Sequence, residues 1–294
     1  MGVLLSKSPV ITFVDRQSTA VIPVLNRGLC YGDGLFETLR FVEDELVLWP
    51  LHVARIKRGL TTLGFGDHVD FDGVRQFIEC QVRSRLGAAA DAMVRLTLLR
   101  TEGVGYRPGD PARVTEIVSF QPYQMPPLTH YQQGISLRCL EWPLSRDPRL
   151  GGLKHLNRLS QVMASRELRS DEFEGVVLDC EGYVIEATRS NLLVFRNGEW
   201  STPDLRDAGI RGVMRDYLLQ GTLAGDEPFP PLAISPLKVQ QLGEVSAMAL
   251  INSVFGVIPV ASLNGRNLDV LSVIERWQRP VHNALKLPRE TVFC

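Results

Sequence analysis

The sequence predicts an α+β protein with two domains, and three observations support that prediction. The chain has 294 residues, roughly the length of two average domains. Hydrophobic residues make up 45% of the chain and charged residues 22%, so burial of apolar side chains can offset the entropy lost on folding. Strand-like and helix-like segments alternate without the strict order of a doubly wound sheet, which favours α+β domains over one parallel sheet.

The N-terminal part contains a predicted hairpin, two helices and two further strands. A short acidic turn separates the first two β-rich segments, which is typical of a hairpin. Pro50 at the start of the first helix and Gly64 just after its end are residue types preferred at those positions. The predicted segments, in order, are 36–42, 45–48, 50–63, 71–86, 93–100 and 114–120.

A proline-rich segment predicts the domain boundary. Three of the seven residues from Gln121 to Pro127 are proline, which suits an extended connector and not a core strand or helix. We therefore expect an N-terminal domain over 1–121, a linker over 122–131 and a C-terminal domain over 132–294.

The C-terminal part again mixes strands and helices, and it contains one long uncharged run, 245–265. Such a run is long enough to suggest a membrane span. Polar residues together with Gly256 and Pro259 interrupt it, so two buried strands around a polar turn are the better prediction. The predicted segments are strands 135–141, 175–178, 183–185, 192–195, 247–251 and 257–260, and helices 155–169, 211–219, 237–242 and 270–284.

Composition argues against several classes of partner. The chain has 32 Lys and Arg against 33 Asp and Glu, a formal net charge of −1, so we expect neither a nucleic-acid nor a membrane partner. The five cysteines are odd in number and form no close pair, so no metal site and no disulfide scaffold are predicted. The N-terminus lacks the pattern of a secretory signal, and the cytoplasm is the expected location.

One lysine lies in a setting that suits chemistry. Lys154 follows the glycine pair 151–152, has Leu153 beside it and stands at the start of a predicted helix. Partial desolvation there would leave an uncharged, nucleophilic amine near neutral pH. A solvated surface lysine is the alternative, because lysines are rarely buried.

The segment Lys154-His155-Leu156-Asn157-Arg158-Leu159 resembles the segment around the cofactor-binding lysine of the fold-type IV pyridoxal-phosphate enzymes. That family includes branched-chain and D-amino-acid aminotransferases and 4-amino-4-deoxychorismate lyases. Further segments similar to family motifs stand in the expected order at 27–40, 52–55, 186–192, 209–215 and 252–260. The resemblance spans roughly residues 10 to 280 and implies the D-amino-acid aminotransferase-like fold, with a small N-terminal and a larger C-terminal domain.

The resemblance also implies a cofactor, pyridoxal 5′-phosphate, and a role for each matched residue. Lys154 would hold the cofactor covalently and move a proton of the substrate, and Glu186 would keep the pyridine nitrogen protonated. The phosphate would be bound by the Arg55 side chain, the backbone N–H groups of Ile210 and Arg211, Ser253 and the Val254 N–H. Taken alone, Glu186 and Arg55 would be surface residues and Ser253 a turn former.

The local sequence is most similar to the lyases of that family. Thr38 stands where the branched-chain enzymes carry glycine, and the resemblance implies that its hydroxyl contacts the substrate or relays a proton. Tyr31, Arg100 and Asn252 are the expected substrate contacts. The segment from Arg100 to Tyr106 departs from the lyase pattern, because valine stands near the position of a second arginine. The implied reaction converts 4-amino-4-deoxychorismate to 4-aminobenzoate for folate synthesis.

Two alternatives stay open at this point. An aminotransferase acting on D-amino or branched-chain amino acids would share the cofactor residues. A non-catalytic α+β module would keep the fold without the chemistry, although Lys154, Glu186 and Arg55 argue against it, since unused pocket residues drift. The family resemblance further implies a homodimer, with residues near Tyr31 at the subunit boundary.

Overall fold

The computed structural model describes residues 10–66, 69–101, 103–109, 114–221 and 229–292, which divide into two compact units. The first consists of the chain up to Gln124 together with His155–Asn157, and the second of Met125–Lys154 and the chain from Arg158 onward. The division falls inside the predicted linker 122–131. That segment is only partly extended, because a strand runs to Pro122 and a helix begins at Leu128.

The first unit is an antiparallel sheet with helices packed on one face. Its main sheet has the order β1-β7-β4-β2-β3. The helix predicted at 71–86 has those bounds, because the Asp70 side chain accepts from the Gly73 N–H at 2.9 Å and Gly87 follows its last residue at φ 95°. The elements are β1 (Ile11–Val14), α1 (Arg27–Tyr31), β2 (Gly34–Val42), β3 (Glu45–Leu46), α2 (Trp49–Thr62), α3 (Phe71–Leu86), β4 (Ala92–Arg100), β5 (Gly103–Val104), β6 (Arg107–Pro108) and β7 (Val114–Pro122).

Strand β2 places neighbouring residues on opposite faces of this sheet. Leu35, Leu39 and Phe41 are buried in the hydrophobic core with Ile56 and Leu60 of α2. Because side chains alternate along a strand, Glu37 lies on that helix-covered face and Thr38 on the other.

The second unit is built on a larger sheet with the order β13-β12-β11-β14-β15-β16, and β8 pairs with β15 in parallel. The uncharged run forms the predicted pair of buried antiparallel strands, β14 and β15. The elements are α4 (Leu128–Gln133), β8 (Ile135–Leu137), α5 (Leu159–Arg166), β9 (Val176–Leu178), β10 (Val184–Ala187), β11 (Asn191–Arg196), β12 (Glu199–Thr202), α6 (Val213–Leu219), β13 (Ala233–Ile234), a 3₁₀ turn (Val239–Glu244), β14 (Val245–Asn252), β15 (Gly256–Leu263), β16 (Arg266–Asn267), α7 (Leu271–Val273), a π turn (Ile274–Gln278), α8 (Arg279–Ala284) and a 3₁₀ turn (Arg289–Thr291).

The α+β class is therefore confirmed, and no helix in the described part of the chain is long and apolar enough to cross a membrane. The predicted helix 270–284 is divided by the π turn just before Pro280, which cannot donate a helical hydrogen bond. The predicted strand 135–141 ends at Leu137, and the predicted helix 211–219 begins only at Val213.

The helix predicted at 155–169 is wrong at both ends, since α5 covers only Leu159–Arg166. Residues 155–157 instead belong to the first unit: His155 forms a bridge with Leu35, and the Leu156 N–H donates to the Gly34 carbonyl at 3.0 Å. These backbone groups are paired in an extended arrangement and cannot also form helical bonds. Lys154 therefore lies in an irregular segment and not at the start of a helix.

Candidate active site

Lys154 and Glu186, two residues predicted to act together, lie in the second unit and interact electrostatically. Glu186 is on β10 and is buried, with 4% of its surface exposed. Burial raises its pKa to about 7, against the opposing effects of the Ile210 N–H bond, the charges of Arg158 and Lys154, and a Gln161 hydrogen bond. The site thus contains a carboxyl group that is part-protonated near neutral pH, close to an amine that is half-buried.

The loop 209–212 fixes the Glu186 carboxyl group. The Ile210 N–H donates to Glu186 Oε2 at 2.9 Å. Gly209 adopts φ 77°, and a Cβ there would lie 2.5 Å from the Ile185 side chain and 3.2 Å from Glu186 Oε2, so a side chain would push the loop away. Asn191 of β11 binds the loop from the other side, donating to the Ile210 carbonyl and accepting from the Gly212 N–H, both at 2.9 Å.

The same loop anchors the chain that leads to Lys154. Gly152 forms a parallel bridge with Ile210. Its N–H donates to the Gly209 carbonyl, and its carbonyl accepts from the Arg211 N–H, both at 3.0 Å. Because Gly152 is only two residues before Lys154, one short loop positions both the carboxyl group and the amine.

These contacts change the predicted roles of Ile210 and Arg211. Both N–H groups were expected to bind an anion, but the first donates to Glu186 and the second to Gly152. The Arg211 guanidinium pairs with Asp216 at 2.7 Å. The prediction depended on a helix that begins at Arg211, whereas α6 begins two residues later. In this structure both amides therefore donate within the protein.

The turn between β14 and β15 contains three further predicted site residues. Asn252 Oδ1 accepts from the N–H groups of Val254 and Phe255, both at 2.9 Å, so Asn252 stabilises the turn and the Val254 amide is already bonded. Asn252 was predicted to contact the substrate and the Val254 N–H to bind the phosphate, whereas in this structure the two residues are bonded to each other. Ser253 is buried, and its hydroxyl makes no hydrogen bond within the part of the chain that the structure describes. It remains the candidate anion donor of this turn.

In the first unit, Arg55 is part of a buried cluster with two residues to which sequence analysis assigned no role. Arg55 donates through Nε to Glu37 Oε1 at 2.8 Å and through Nη2 to Glu37 Oε2, and His52 Nδ1 lies 2.7 Å from that second oxygen. Burial acts to raise the pKa of Glu37, but the charge and hydrogen bonds of Arg55 and then His52 outweigh it and lower the pKa to about 2. The sequence contains one sign of this cluster: His52 and Arg55 are three residues apart, which places them on the same face of helix α2.

Arg100, a predicted substrate contact, is bound entirely within the protein. Its Nε donates to Asp33 Oδ2 at 3.0 Å, and Nη1 and Nη2 donate to the carbonyl groups of Gly64 and Leu63 at 3.1 and 2.5 Å. Asp33 also accepts from Arg27 Nε at 2.9 Å. All three Arg100 nitrogens thus have acceptors in the protein, contrary to the expected role in binding a substrate carboxylate.

Thr38 and Tyr31, the two remaining predicted site residues, are both partly accessible to solvent. Thr38 is half-buried on β2 and pairs across the sheet with Arg95. Tyr31 is 40% exposed at the end of α1, its ring centre 5.4 Å from that of Tyr106 and 5.0 Å from the Arg27 guanidinium. Among the described residues there is no group of three His, Cys, Asp or Glu side chains that could hold a metal ion.

Comparison with known proteins adds independent information. The family model described as Amino-transferase class IV matches residues 34–263. An aminodeoxychorismate lyase from Vibrio harveyi is 29% identical over 249 residues, 83% of this chain and 88% of that protein. The crystal structure of 4-amino-4-deoxychorismate lyase from Pseudomonas aeruginosa has a TM-score of 0.83 and 35% identity, covering 93% of this chain and 98% of its own. A hypothetical aminotransferase from Mycobacterium tuberculosis in a PLP-bound form has a TM-score of 0.76 over 94% and 98% of the two chains, and at 20% identity indicates a common fold alone.

The Glu37 cluster predicts a pH-dependent stability. The pKa of Glu37 is about 2 in the folded protein against an ordinary value of 4.5, so its contribution is fully present above pH 4.5 and is lost as the pH falls toward 2. Glu37→Gln should cost about 3–5 kcal/mol at neutral pH, because it leaves a buried arginine without its counter-charge. Between pH 4.5 and about 2, the free energy of unfolding of Glu37→Gln should also fall less than that of the wild type.

Urea unfolding at a series of pH values measures both effects. Glu199→Gln, a change to an exposed carboxylate, is the control and should behave like the wild type. Equal acid sensitivity of Glu37→Gln and the wild type would contradict the assignment.

Arg100 yields a second prediction about stability. Arg100→Met should lower the free energy of unfolding by about 3–5 kcal/mol, since Asp33 loses one of its two cations and two carbonyl groups lose their donor. Arg107→Met, which changes an exposed arginine, should have little effect. Urea unfolding of the two variants compares them, and equal stabilities would show that the Arg100 contacts are dispensable.

Proposed function

The chain belongs to the amino-transferase class IV family, and from that membership we propose that it is a pyridoxal 5′-phosphate-dependent aminodeoxychorismate lyase. It converts 4-amino-4-deoxychorismate to 4-aminobenzoate and pyruvate, and the aromatic product serves folate synthesis. The lyases compared above share more of its sequence than the aminotransferase does, which supports a lyase over an aminotransferase of the same fold.

The observation that carries the proposal is the buried Glu186 carboxyl group near the Lys154 amine. The side chains of the second unit fit the cofactor in their chemistry. Lys154 offers an amine for the aldehyde, Glu186 an acid for the ring nitrogen, and Ser253 a hydroxyl that has no hydrogen bond within the described residues. Arg55 of the first unit remains a proposed phosphate ligand, with its guanidinium oriented by Glu37.

Each of these side chains has a defined task in the reaction. When bound, pyridoxal phosphate supplies an aldehyde that condenses with amines and a ring that accepts the electron pair left by a departing proton. Lys154 would hold the cofactor through Nζ, and the amine, once free, would take the proton from the ring carbon of the substrate that carries the amino group. The Glu186 carboxylate would keep the ring nitrogen of the cofactor protonated, because opposite charges stabilise one another strongly at a buried site.

Proton removal leads to loss of the side chain of the substrate. The bond between the ring carbon and the enolpyruvyl oxygen breaks, the enolpyruvyl group leaves with a proton as pyruvate, and the ring becomes aromatic. Thr38 is the proposed donor or relay for that proton, as its hydroxyl makes no hydrogen bond within the described residues. Aromatisation supplies much of the driving force, so the enzyme mainly positions the reacting groups.

We also propose that the protein works as a homodimer in the cytoplasm. A symmetric dimer is the commonest assembly and is implied by the family resemblance. The described cysteines, Cys30, Cys80, Cys139 and Cys180, are all free thiols, as a reducing compartment favours. Sedimentation velocity should detect a species of twice the chain mass, and a monomer at micromolar concentration would contradict the dimer.

Borohydride reduction and product analysis test the proposed chemistry. Reduction of the cofactor-loaded protein followed by peptide mapping should label Lys154, and incubation with 4-amino-4-deoxychorismate should yield equal amounts of 4-aminobenzoate and pyruvate. Lys154→Ala should remove the label and lower the rate about 10²–10⁴-fold, the usual contribution of a positioned acid–base group.

The matched control is Lys238→Ala, because Lys238 is a half-buried lysine of the same unit whose Nζ donates to the Glu181 carbonyl at 2.8 Å and lies 3.7 Å from the centre of the Tyr183 ring. It should retain the label and the rate. Amino-group transfer to 2-oxo acids without pyruvate release would establish an aminotransferase instead.

A further inference from the structure

We propose that Arg158 is an anion-binding residue of this site, and that its Nε–H donates to a negatively charged oxygen of the bound cofactor or substrate. The inference rests on the proposed function, because it requires a ligand held at Lys154. Arg158 belongs to the same sequence motif as Lys154, four residues further along the chain, yet the mechanism above gives it no task.

The main observation is a buried donor that lacks an acceptor. Arg158 is half-buried and its Nε is fully buried, but the guanidinium makes no hydrogen bond and no ion pair within the described residues. An unsatisfied buried donor destabilises the folded protein, and more so when it is charged. A water, an ion or a ligand outside the chain can supply the acceptor of such a group.

Other arginines of this protein show how unusual that state is. Five buried arginines each donate to an oxygen of the protein: Arg27, Arg40, Arg55, Arg100 and Arg215. Their acceptors are carboxylates, backbone carbonyls and, for Arg215 Nε, the Thr202 hydroxyl, so each buried arginine in the described part of the chain has an acceptor in the protein. Arg55 is among them and is also a proposed phosphate ligand, so a protein acceptor does not exclude a ligand. Arg158 departs from that pattern, which points to a ligand as its missing partner.

The charge of Arg158 acts at the position where a ligand is needed. It interacts with the Glu186 carboxyl group without forming a direct ion pair, and burial lowers the pKa of Arg158 while Glu186 opposes that effect. A guanidinium stays protonated near neutral pH even so. Arg158 therefore presents a cation and an unused N–H group in the same unit as Lys154 and Glu186.

Two ligands carry suitable oxygens. The cofactor has a phenolic oxygen beside its aldehyde and a phosphate, and the substrate and product carry a carboxylate. A charge-assisted hydrogen bond to any of these is worth about 1.5–3 kcal/mol, which corresponds to roughly a 10- to 150-fold change in affinity.

Equilibrium binding to full-length variants distinguishes these sources. Arg158→Met removes the charge and the donor, and Arg158→Lys keeps the charge without an Nε–H. Arg166→Met is the matched control, because Arg166 is an exposed arginine at the end of helix α5, the helix that Arg158 immediately precedes. Absorbance titration measures the affinity of each cofactor-free protein for pyridoxal phosphate and for pyridoxal, which lacks the phosphate. Titration of each loaded enzyme with 4-aminobenzoate measures carboxylate binding.

We expect Arg158→Met to weaken at least one of these affinities by about 10-fold or more, Arg158→Lys to weaken it less, and Arg166→Met to leave all three unchanged. If the affinities for pyridoxal phosphate and for pyridoxal fall equally, the phenolic oxygen is the acceptor of the Arg158 Nε–H. If only the affinity for pyridoxal phosphate falls, the acceptor is the phosphate. If only the affinity for 4-aminobenzoate falls, the acceptor is the substrate carboxylate.

Thermal unfolding of the cofactor-free variants separates ligand binding from a structural role. Because Arg158 has no acceptor to lose, Arg158→Met should melt at or above the wild-type temperature. A lower melting temperature with unchanged affinities would overturn the proposal, as would wild-type affinity for all three ligands. Either result leaves the proposed function intact if borohydride still labels Lys154. A wild-type protein that binds no pyridoxal phosphate would refute both.

Discussion

The burial of the Glu186 carboxyl group is the constraint on which the candidate site depends. Removal from water raises the pKa of this carboxyl, and the Ile210 N–H with the charges of Arg158 and Lys154 opposes the shift. The balance leaves a group able to share a proton near neutral pH. The loop 209–212 contributes to this balance, because the Ile210 N–H donates to Glu186 and the Gly209 and Arg211 backbone groups bind Gly152, two residues before Lys154.

Arginine residues illustrate how the same side chain takes different roles in one fold. Arg100 donates to Asp33 and to two backbone carbonyls, and Arg55 is paired with Glu37. Both are thereby held rigid in the first unit. Arg158 lacks such acceptors among the described residues. Since a buried N–H group without an acceptor is costly, the buried Nε of the half-buried Arg158 side chain distinguishes this arginine from the other two.

Local pattern accounts for most of what sequence analysis predicted correctly. The caps at Asp70 and Gly87 define α3, and a polar turn within an uncharged run predicts the β14–β15 hairpin. The start of α5 was missed, because residues 155–157 pair with strand β2 instead of continuing a helix. Helical propensity is a weak prior, and a distant strand edge can override it.

The sequence by itself determined the family, and it is the source of the proposal that Lys154 holds the cofactor with Glu186 as its partner acid, because the family motifs are residue types in a fixed order along the chain. Only the tertiary structure decided which donors are already bonded. Arg100 donates to a carbonyl 36 residues away, and the Ile210 N–H to a carboxylate 24 residues away. Hydrogen bonds between segments so far apart depend on how the chain folds back on itself. The spacing of residues along the sequence does not predict which distant segments will meet.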